Sequence, residues 1–374
     1  MSDFIKGLSV YIGTIIGVGI FGLPYVAAKT GFLVILGYFL ILGSIAVVMH
    51  LMYVDIILGT PGKHRFPGYV KKYLGKKWSK VTFISICIGL FGAQLAYLVV
   101  GGGFLASLLM PYLGGSVLLY TLIYFALGSF IIFKGLKHIS ITEFIILLLF
   151  FILLIFFIIK GSAVVDVGNL LTIKLNNFIL PYGIVLFSLW GSSILPEVRE
   201  VTAGDRKTFR KTVVTGIIVA AITYILFIAV VVGITGSGTT QNAIDGLREA
   251  LGSKITNLGL IFGLITCFSS YLTVGLTLKK VFWYDMKASK NISWAIAAFV
   301  PLFLYIIGAR QFIVIISLMG ALTLGLESVI NIFMYKVFLK KKKKKKINPL
   351  YYFLSGLFII GIIVEILSQL GIIS

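Results

Sequence analysis

The stretch GTIIGVGIFGLPYV, residues 13–26, decides how the chain folds, because it interrupts a segment that is otherwise apolar enough to cross a membrane. Its unusual residues are, in order, Gly13, Gly17, Gly19, Gly22 and Pro24. On helix-propensity scales measured in water, these residues make a helix about 7 kcal/mol less stable than alanines would. A segment that only had to span lipid would not carry them, so the sequence predicts a break in this helix.

The composition of the whole chain is that of an integral membrane protein. Of its 374 residues, 59% are hydrophobic and only 12% are charged, whereas soluble domains carry about 25% charged residues. The mean hydropathy is +1.09. We therefore expect an all-α integral membrane protein in which residues 1–374 form a single transmembrane domain.

Eleven apolar runs have the length that a membrane-spanning helix needs, which is about 20 residues. We expect the first run to be retained as a span, because no small-residue cleavage site follows it. The longest loop that the runs leave is residues 59–80, which is basic with interleaved aromatic residues. The runs are 8–28, 33–57, 81–108, 116–133, 140–160, 178–197, 212–234, 256–278, 292–309, 312–336 and 350–371.

The distribution of basic residues sets the expected orientation. With the N-terminus in the cytoplasm, 27 of the 33 lysines and arginines fall in inside segments. This bias predicts a multi-pass protein of the cell membrane with a cytoplasmic N-terminus and an outside C-terminus. It also explains the net charge of +21 without nucleic acid. The lysine run 340–346 is predicted to be a cytoplasmic linker to span eleven, residues 348–374, and to lie against anionic lipid.

The opening stretch has a counterpart in VLFSLWGSSILPEV, residues 185–198. At a constant offset of 172 residues, four positions are identical, including Gly19 with Gly191 and Pro24 with Pro196. The two stretches lie in the first and sixth spans, so each opens a unit of five spans, 7–160 and 176–337. An odd number of spans per unit inverts the second unit, and interrupted helices at matching positions of an inverted repeat indicate a transporter's binding site.

The glycines also match two common motifs, and neither motif accounts for all of them. Residues 17–22, GVGIFG, match the dinucleotide fingerprint G-x-G-x-x-G, but that motif needs a preceding strand and an acid about twenty residues on. The next acidic residue here is Asp55. Gly13 and Gly17 also form a G-x-x-x-G pattern, typical of helix packing. Packing leaves Gly19, Gly22 and the repeat at residues 191–196 unexplained.

Two interrupted spans would expose backbone groups that can bind a zwitterion. N–H groups from Gly17 to Ile20, at the start of a half-helix, would face an anion. Carbonyl groups of Ile15 and of residues 187–190 would face a cation, and glycines let the ligand approach the backbone. Such exposure is tolerated only where it lines a polar cavity. The carboxylate and ammonium of an α-amino acid fit this pair of sites.

The motif GTIIGVGIFGLPYV resembles the first span of the amino acid–polyamine–organocation superfamily. Eleven spans, LWGSSILPEV, the HRFPGY loop and TTQNAIDGL are similar to the amino acid/auxin permease type within it. The resemblance implies the LeuT-like fold of five plus five inverted spans, with discontinuous spans one and six and an added eleventh span. It places Val18 and Gly19 at the substrate carboxylate, and Ile15, Phe187, Leu189 and Trp190 around the amine and side chain.

A candidate coupling-ion site lies in span eight. Thr266, Ser269 and Ser270 share one helical face. The resemblance implies that they bind Na⁺ together with the carbonyls of Gly13 and Ile16, an all-oxygen set. The alternative is that small polar residues simply pack helices in the membrane. Span five lacks the lysine that replaces this ion in some proton-coupled relatives, which favours sodium without excluding protons.

Three further polar residues are candidates for function. Gln94 and Tyr97 in span three lie on a face that can meet the substrate. Glu327 in span ten is costly to ionise at membrane depth. It is a candidate proton-binding or gating residue, and the alternative is a protonated carboxyl with a structural role. Apart from a coupling Na⁺ or H⁺, the sequence predicts no cofactor and no metal.

The function that the sequence predicts is secondary active transport of an amino acid by alternating access, with cation-coupled symport. The absence of a fixed charge in the expected pocket walls favours neutral or aromatic substrates. An amino acid exchanger, or a sensor that binds without net transport, remains an alternative. The motifs H-E-x-x-H and G-x-S-x-G are absent, and we expect no enzyme activity.

Overall fold

The computed structural model describes residues 2–135, 139–174, 177–342 and 349–372, and within these ranges the regular structure is helical. The α-helices are α1 (Asp3–Ile15), α2 (Gly19–Thr30), α3 (Phe32–Gly59), α4 (Phe66–Leu74), α5 (Lys76–Leu113), α6 (Val117–Lys134), α7 (Ile139–Gly161), α8 (Pro181–Leu189), α9 (Leu195–Val201), α10 (Arg206–Thr235), α11 (Arg248–Lys280), α12 (Lys290–Ile306), α13 (Phe312–Leu318), α14 (Gly325–Lys341) and α15 (Leu350–Gln369).

Each of the eleven predicted runs coincides with a helix or with a pair of helices. Among the described residues, seven helical segments are long and apolar enough to cross a membrane, and α1 with α2 forms an eighth that is bent by 55°. Within the tenth run, α13 and α14 are joined by a π-helical segment, Met319–Leu324. The other three runs coincide with α7, the pair α8 and α9, and α12.

The expected interruptions of spans one and six are both present. Span one is α1 and α2, separated by residues 16–18. Span six is α8 and α9, separated by Trp190, Gly191 and a 3₁₀ turn at Ser192–Ile194. Both predicted discontinuities are therefore confirmed, and the two breaks occupy the first and sixth of the eleven spans.

One segment that the sequence predicts as a loop contains more helix than expected. Residues 59–80 include α4, whose Phe66 and Tyr69 are buried and pack edge-on against Tyr53. Further along the chain, the structure has a 3₁₀ turn at Asp245–Leu247. This turn is followed directly by α11, which kinks at Gly252, where φ is +74°.

Part of the predicted lysine linker lies outside the described residues. α14 continues to Lys341, and the description resumes at Pro349, just before α15.

Asp205 caps α10 by accepting a 2.7 Å hydrogen bond from the Thr208 N–H. The Thr208 hydrogen bonds hold the pKa of the Asp205 carboxyl below its usual range.

The interrupted spans lie at the centre of the bundle. α5 packs against α6, α11 and α12, whereas α10 packs against α1, α2 and α3. α2 also packs on α8, and α8 in turn contacts α3, α13 and the π-helical segment Met319–Leu324. Hydrophobic burial by continuous helices on several sides compensates for the helix stability that the two breaks lose.

Salt bridges join span six to the segment that follows α3. Arg65 and Lys63 pair with Glu197 and Glu200 at 2.8 and 3.0 Å. Exposed ion pairs stabilise a fold by at most about 1 kcal/mol, so these pairs orient α9 more than they stabilise the bundle. We name this end of the bundle, which carries residues 63, 65, 197 and 200, the basic end.

Spans six and ten cross backbone to backbone at two glycines. A Cβ placed on Gly320 would clash with the carbonyl oxygen of Gly183, and a Cβ on Gly183 would clash with the Ser317 carbonyl. Backbone atoms cannot rotate away as a flexible side chain can. The π-helical segment therefore approaches α8 as closely as two main chains allow.

We expect Gly320→Ala to destabilise the protein by about 2–3 kcal/mol, because the added methyl group forces two spans apart. The measurement is thermal unfolding of the detergent-solubilised protein, followed by size-exclusion chromatography. Gly37→Ala is the matched control, since a Cβ at Gly37 has nothing within 4 Å. Equal unfolding temperatures for the two variants would contradict the crossing.

Candidate functional site

The break in span one is short and local. The last turn of α1 closes with Ile16 N–H bonded to the Ile12 carbonyl at 2.8 Å. Ile16 is then extended, with φ −75° and ψ +90°, and α2 begins at Gly19. Pro24, which the sequence predicts as part of the break, lies inside α2 instead. It removes one N–H from α2 without ending the helix.

The glycines of this stretch have different roles. A Cβ on Gly17 would clash with the Tyr97 hydroxyl, and one on Gly19 would clash with the Ser188 hydroxyl. A Cβ on Gly22 would come within 3.0 Å of Ile184, Ile313 and Phe312, whereas one on Gly13 would meet nothing within 4 Å. Gly17 and Gly19 therefore let polar groups reach the backbone, and Gly22 serves helix packing.

Tyr97 lies at the N–H groups that the sequence predicts for a carboxylate. Its hydroxyl oxygen accepts a hydrogen bond from the Val18 N–H at 3.3 Å. The N–H groups of Ile20 and Phe21 bond instead to the carbonyls of Gly17 and Val18, at 3.3 and 3.1 Å. Of the predicted donors, Val18 is thus the one whose N–H meets a side chain, and the Ile20 N–H is already used within the turn.

The break in span six is held by a histidine from α3. The Gly191 N–H donates to Nε2 of His50 at 3.1 Å, and Nδ1 of His50 lies 2.6 Å from the Ala46 carbonyl. This pair of contacts requires a neutral imidazole with its proton on Nδ1. Pro196 then lies in the first turn of α9, where a missing N–H costs nothing.

One hydroxyl joins the two breaks. Tyr224 of α10 lies 2.7 Å from the Ile15 carbonyl and 3.0 Å from the Ser188 carbonyl. A phenol has a single proton to donate, so it satisfies one of these two carbonyls at a time. The other acceptor is available to a second donor, such as a substrate ammonium. Ile15 and Ser188 thus bring two backbone carbonyl acceptors together at the meeting point of spans one and six.

The remaining predicted substrate residues differ in where their side chains lie. Trp190 points its indole N–H at Oε1 of Glu327, 3.2 Å away. The side chain of Leu189 is buried toward Gly43 of α3. Gln94 is fully buried, and its amide nitrogen lies 2.9 Å from the position of a Cβ on Gly275 of α11. Gln94 therefore faces span eight, and its predicted contact with substrate stays a prediction.

The candidate sodium ligands lie on two helices. Thr266, Ser269 and Ser270 follow one another along α11, and Thr266 is buried with a hydroxyl that has no hydrogen-bond partner among the described residues. Gly13 and Ile16 lie at the end of α1. A buried hydroxyl without a partner suits a cation ligand, and the sodium site stays a prediction.

Sequence reasoning missed Ser188, Tyr224 and the role of His50. A tyrosine or a serine within an apolar span carries no distinguishing signal, because both residues are common in packed helices. His50 is a lone histidine on span two, a pattern that is typical of a packed polar residue. Its contact with the break arises because span two packs against span six at Gly191, and no local motif encodes that contact.

The sequence profile of the tryptophan/tyrosine permease family matches residues 1–374. The chain belongs to the tryptophan/tyrosine permease family. It is therefore a secondary amino acid transporter and not an enzyme.

A curated relative of this permease is the tyrosine-specific transport system 1 of Haemophilus influenzae, which is 25% identical over 317 residues, 77% of this chain and 76% of that protein. Two solved structures have the same LeuT-like fold. The complex of MhsT with L-phenylalanine has a TM-score of 0.69 at 16% identity and covers 97% of this chain and 98% of its own. Inward-facing Mhp1 has a TM-score of 0.68 at 15% identity, with coverages of 93% and 79%.

We expect Gly19→Ala to weaken substrate binding by tenfold or more, because the methyl group would occupy the space in which Gly19 meets Ser188. A clash of this kind costs on the order of 1–3 kcal/mol, and about 1.4 kcal/mol is tenfold in affinity. The measurement is equilibrium binding of labelled amino acid to purified protein, with Gly37→Ala as the control. Unchanged affinity in Gly19→Ala would show that the break is only a packing device.

Removal of the Tyr224 hydroxyl tests the link between the two breaks. Tyr224→Phe leaves buried carbonyls at Ile15 and Ser188 without this donor, and we expect a loss of about 1–2 kcal/mol in stability together with weaker substrate binding. Tyr124→Phe is the matched control, since that buried hydroxyl has no partner among the described residues. If the two variants behave alike in unfolding and binding assays, the bridging role of Tyr224 is wrong.

Proposed function

We propose that this permease is a cation-coupled symporter that accumulates an aromatic amino acid, tryptophan or tyrosine, by alternating access. The observation that carries the proposal is the meeting of the two broken spans, where Gly19 lies against Ser188 and the Tyr224 hydroxyl lies between the Ile15 and Ser188 carbonyls. The family and the name of the Haemophilus relative support the aromatic substrate.

In this proposal the substrate zwitterion takes over two contacts that tyrosine hydroxyls make in the structure. The substrate carboxylate binds the Val18 and Gly19 N–H groups at the positive end of α2, where the Tyr97 oxygen now accepts from Val18. Tyr97 then turns its own proton toward the carboxylate. The ammonium donates to the Ile15 and Ser188 carbonyls. Anion and cation are thus bound by opposite ends of interrupted helices.

The aromatic ring of the substrate would lie near Phe187, which is partly buried in α8 next to the π-helical segment. Aromatic side chains prefer edge-to-face contacts with other rings, worth about 0.5–1.5 kcal/mol beyond burial. We propose that Phe187 closes over the ring of the bound substrate. The buried surroundings of Ile20 and Leu189 favour an uncharged side chain over a charged one.

The membrane setting follows from the charge distribution. We propose that the basic end faces the cytoplasm, with the N-terminus inside and the C-terminus outside a cell membrane. Anionic lipid headgroups would then neutralise the lysines that follow α14. In line with the resemblance of its first span, we place the chain in the amino acid–polyamine–organocation superfamily, near the amino acid/auxin permeases.

Uptake into proteoliposomes tests the proposal. Purified protein is reconstituted, and labelled tryptophan, tyrosine, phenylalanine, leucine, glutamate and lysine are supplied with a sodium gradient or a proton gradient imposed separately. We expect gradient-dependent accumulation of the aromatic amino acids ahead of the others. Uptake that requires preloaded amino acid and ignores both gradients would show an exchanger. Binding without any flux would show a sensor.

A further inference from the structure

A buried carboxyl group from span ten lies against the break in span six. Glu327, near the start of α14, is 9% exposed. Its Oε1 accepts a hydrogen bond from the indole N–H of Trp190 at 3.2 Å and a short one from the Ser192 hydroxyl. Trp190 and Ser192 flank Gly191, the residue at which span six leaves its helical path. One oxygen atom of Glu327 therefore holds both sides of the break.

Span two contacts two of these residues, Trp190 and Gly191. The Gly191 N–H donates to His50, and the His50 ring lies 4.8 Å from the Trp190 ring. On α14, Asn331 donates to the Met49 carbonyl of span two at 2.9 Å. Spans two, six and ten thus meet in one polar cluster, formed by His50, Trp190, Gly191, Ser192 and Glu327.

No cation compensates the Glu327 carboxyl among the described residues, since the salt bridges there join other acids. On α3, Tyr53 interacts electrostatically with Glu327, and His50 contacts the neighbouring Gly191 and Trp190. α15 presents Phe358 to Trp190, and its own Glu365 interacts with Tyr38 and Tyr182. On α4, Tyr69 packs against Tyr53. The lysines of α5 are exposed at the basic end: Lys76, Lys77 and Lys80.

An uncompensated carboxylate at membrane depth is unfavourable and tends to bind a positive charge. The groups around Oε1 decide which charge fits. Trp190 and Ser192 both direct hydrogen atoms at this oxygen, and an indole N–H has no lone pair for a metal ion. Na⁺ needs several oxygen lone pairs around it. The shell of Glu327 therefore suits a proton better than a metal cation.

We propose that Glu327 is the proton-binding residue of the transport cycle and that its protonation releases the break in span six. The proposal rests on the proposed function and names its coupling ion. An ionised carboxylate accepts the Trp190 and Ser192 hydrogen bonds strongly. When a proton binds one carboxyl oxygen, both bonds lose their charge assistance, and Trp190–Ser192 can rearrange around the substrate. Because linkage is reciprocal, substrate binding at the break then raises the affinity for the proton.

The test compares Glu327→Gln with wild-type protein in proteoliposomes, with the membrane potential clamped at zero. An inward gradient of one pH unit supports at most about tenfold accumulation when one proton moves with each substrate. We expect wild-type protein to accumulate labelled tryptophan or tyrosine under this gradient. Glu327→Gln keeps the shape and the acceptor oxygen but binds no proton, so accumulation should fall to the equilibrium level while counterflow exchange continues.

Glu365→Gln is the matched control, because Glu365 is also a buried carboxyl in the membrane and accepts a 2.9 Å hydrogen bond from Gln369. It should retain gradient-driven accumulation. Accumulation by Glu327→Gln at the wild-type level, or wild-type accumulation driven by a sodium gradient and not by a proton gradient, would overturn the proposal. A wild-type protein without any flux would instead refute the proposed function itself.

A second variant keeps the proposal testable if Glu327→Gln does not fold. Ser192→Ala removes one donor from the ionised carboxylate and leaves the carboxyl in place. We expect the pH of half-maximal uptake to move toward alkaline values, because the carboxylate form is less stabilised. Thr323→Ala, in the π-helical segment of the same span, is the control and should leave that pH unchanged. The same pH of half-maximal uptake in Ser192→Ala and wild-type protein would contradict the role of Glu327.

Discussion

The structure depends on one constraint: backbone N–H and C=O groups that leave a helix inside a membrane must still find partners. Lipid offers none, and each unsatisfied group costs several kcal/mol. In this permease the two breaks sit at the centre of the bundle, and side chains from continuous helices reach them. Tyr97 meets the Val18 N–H, His50 meets the Gly191 N–H, and Tyr224 meets the Ile15 and Ser188 carbonyls.

The same requirement explains why a broken helix can bind substrate. Two of the partners at the breaks, Tyr97 and Tyr224, are hydroxyls that can rotate or exchange, whereas the backbone groups of a closed helix bond to one another. Tyr224 has one proton for two carbonyls, so the site keeps an acceptor for a further donor. At span six the partner is ionisable, because Glu327 accepts from both Trp190 and Ser192. In the proposed cycle, the substrate and the coupling proton would therefore act on the same interrupted spans.

Much of this could be predicted from the sequence, because breaks leave local marks. Glycines at residues 13–22 and the repeat at 185–198 predict two interrupted spans, and the structure has both. Local sequence does not show which atoms fill the breaks. Ser188, Tyr224 and His50 are ordinary residues of their own spans, and their roles arise from contacts across 36 to 209 residues of sequence. The sequence does not predict α4, because residues 59–80 are basic and contain two prolines, a pattern that is typical of an irregular loop.

The most direct test of whether the two breaks form the substrate site is an experimental structure of the permease with tryptophan or tyrosine bound. The resolution must be sufficient to place the substrate's carboxylate and ammonium. We predict the carboxylate at the Val18 and Gly19 N–H groups and the ammonium at the Ile15 and Ser188 carbonyls. A substrate bound between intact helices, with its carboxylate on a basic side chain and both breaks still closed by Tyr97 and Tyr224, would contradict this arrangement.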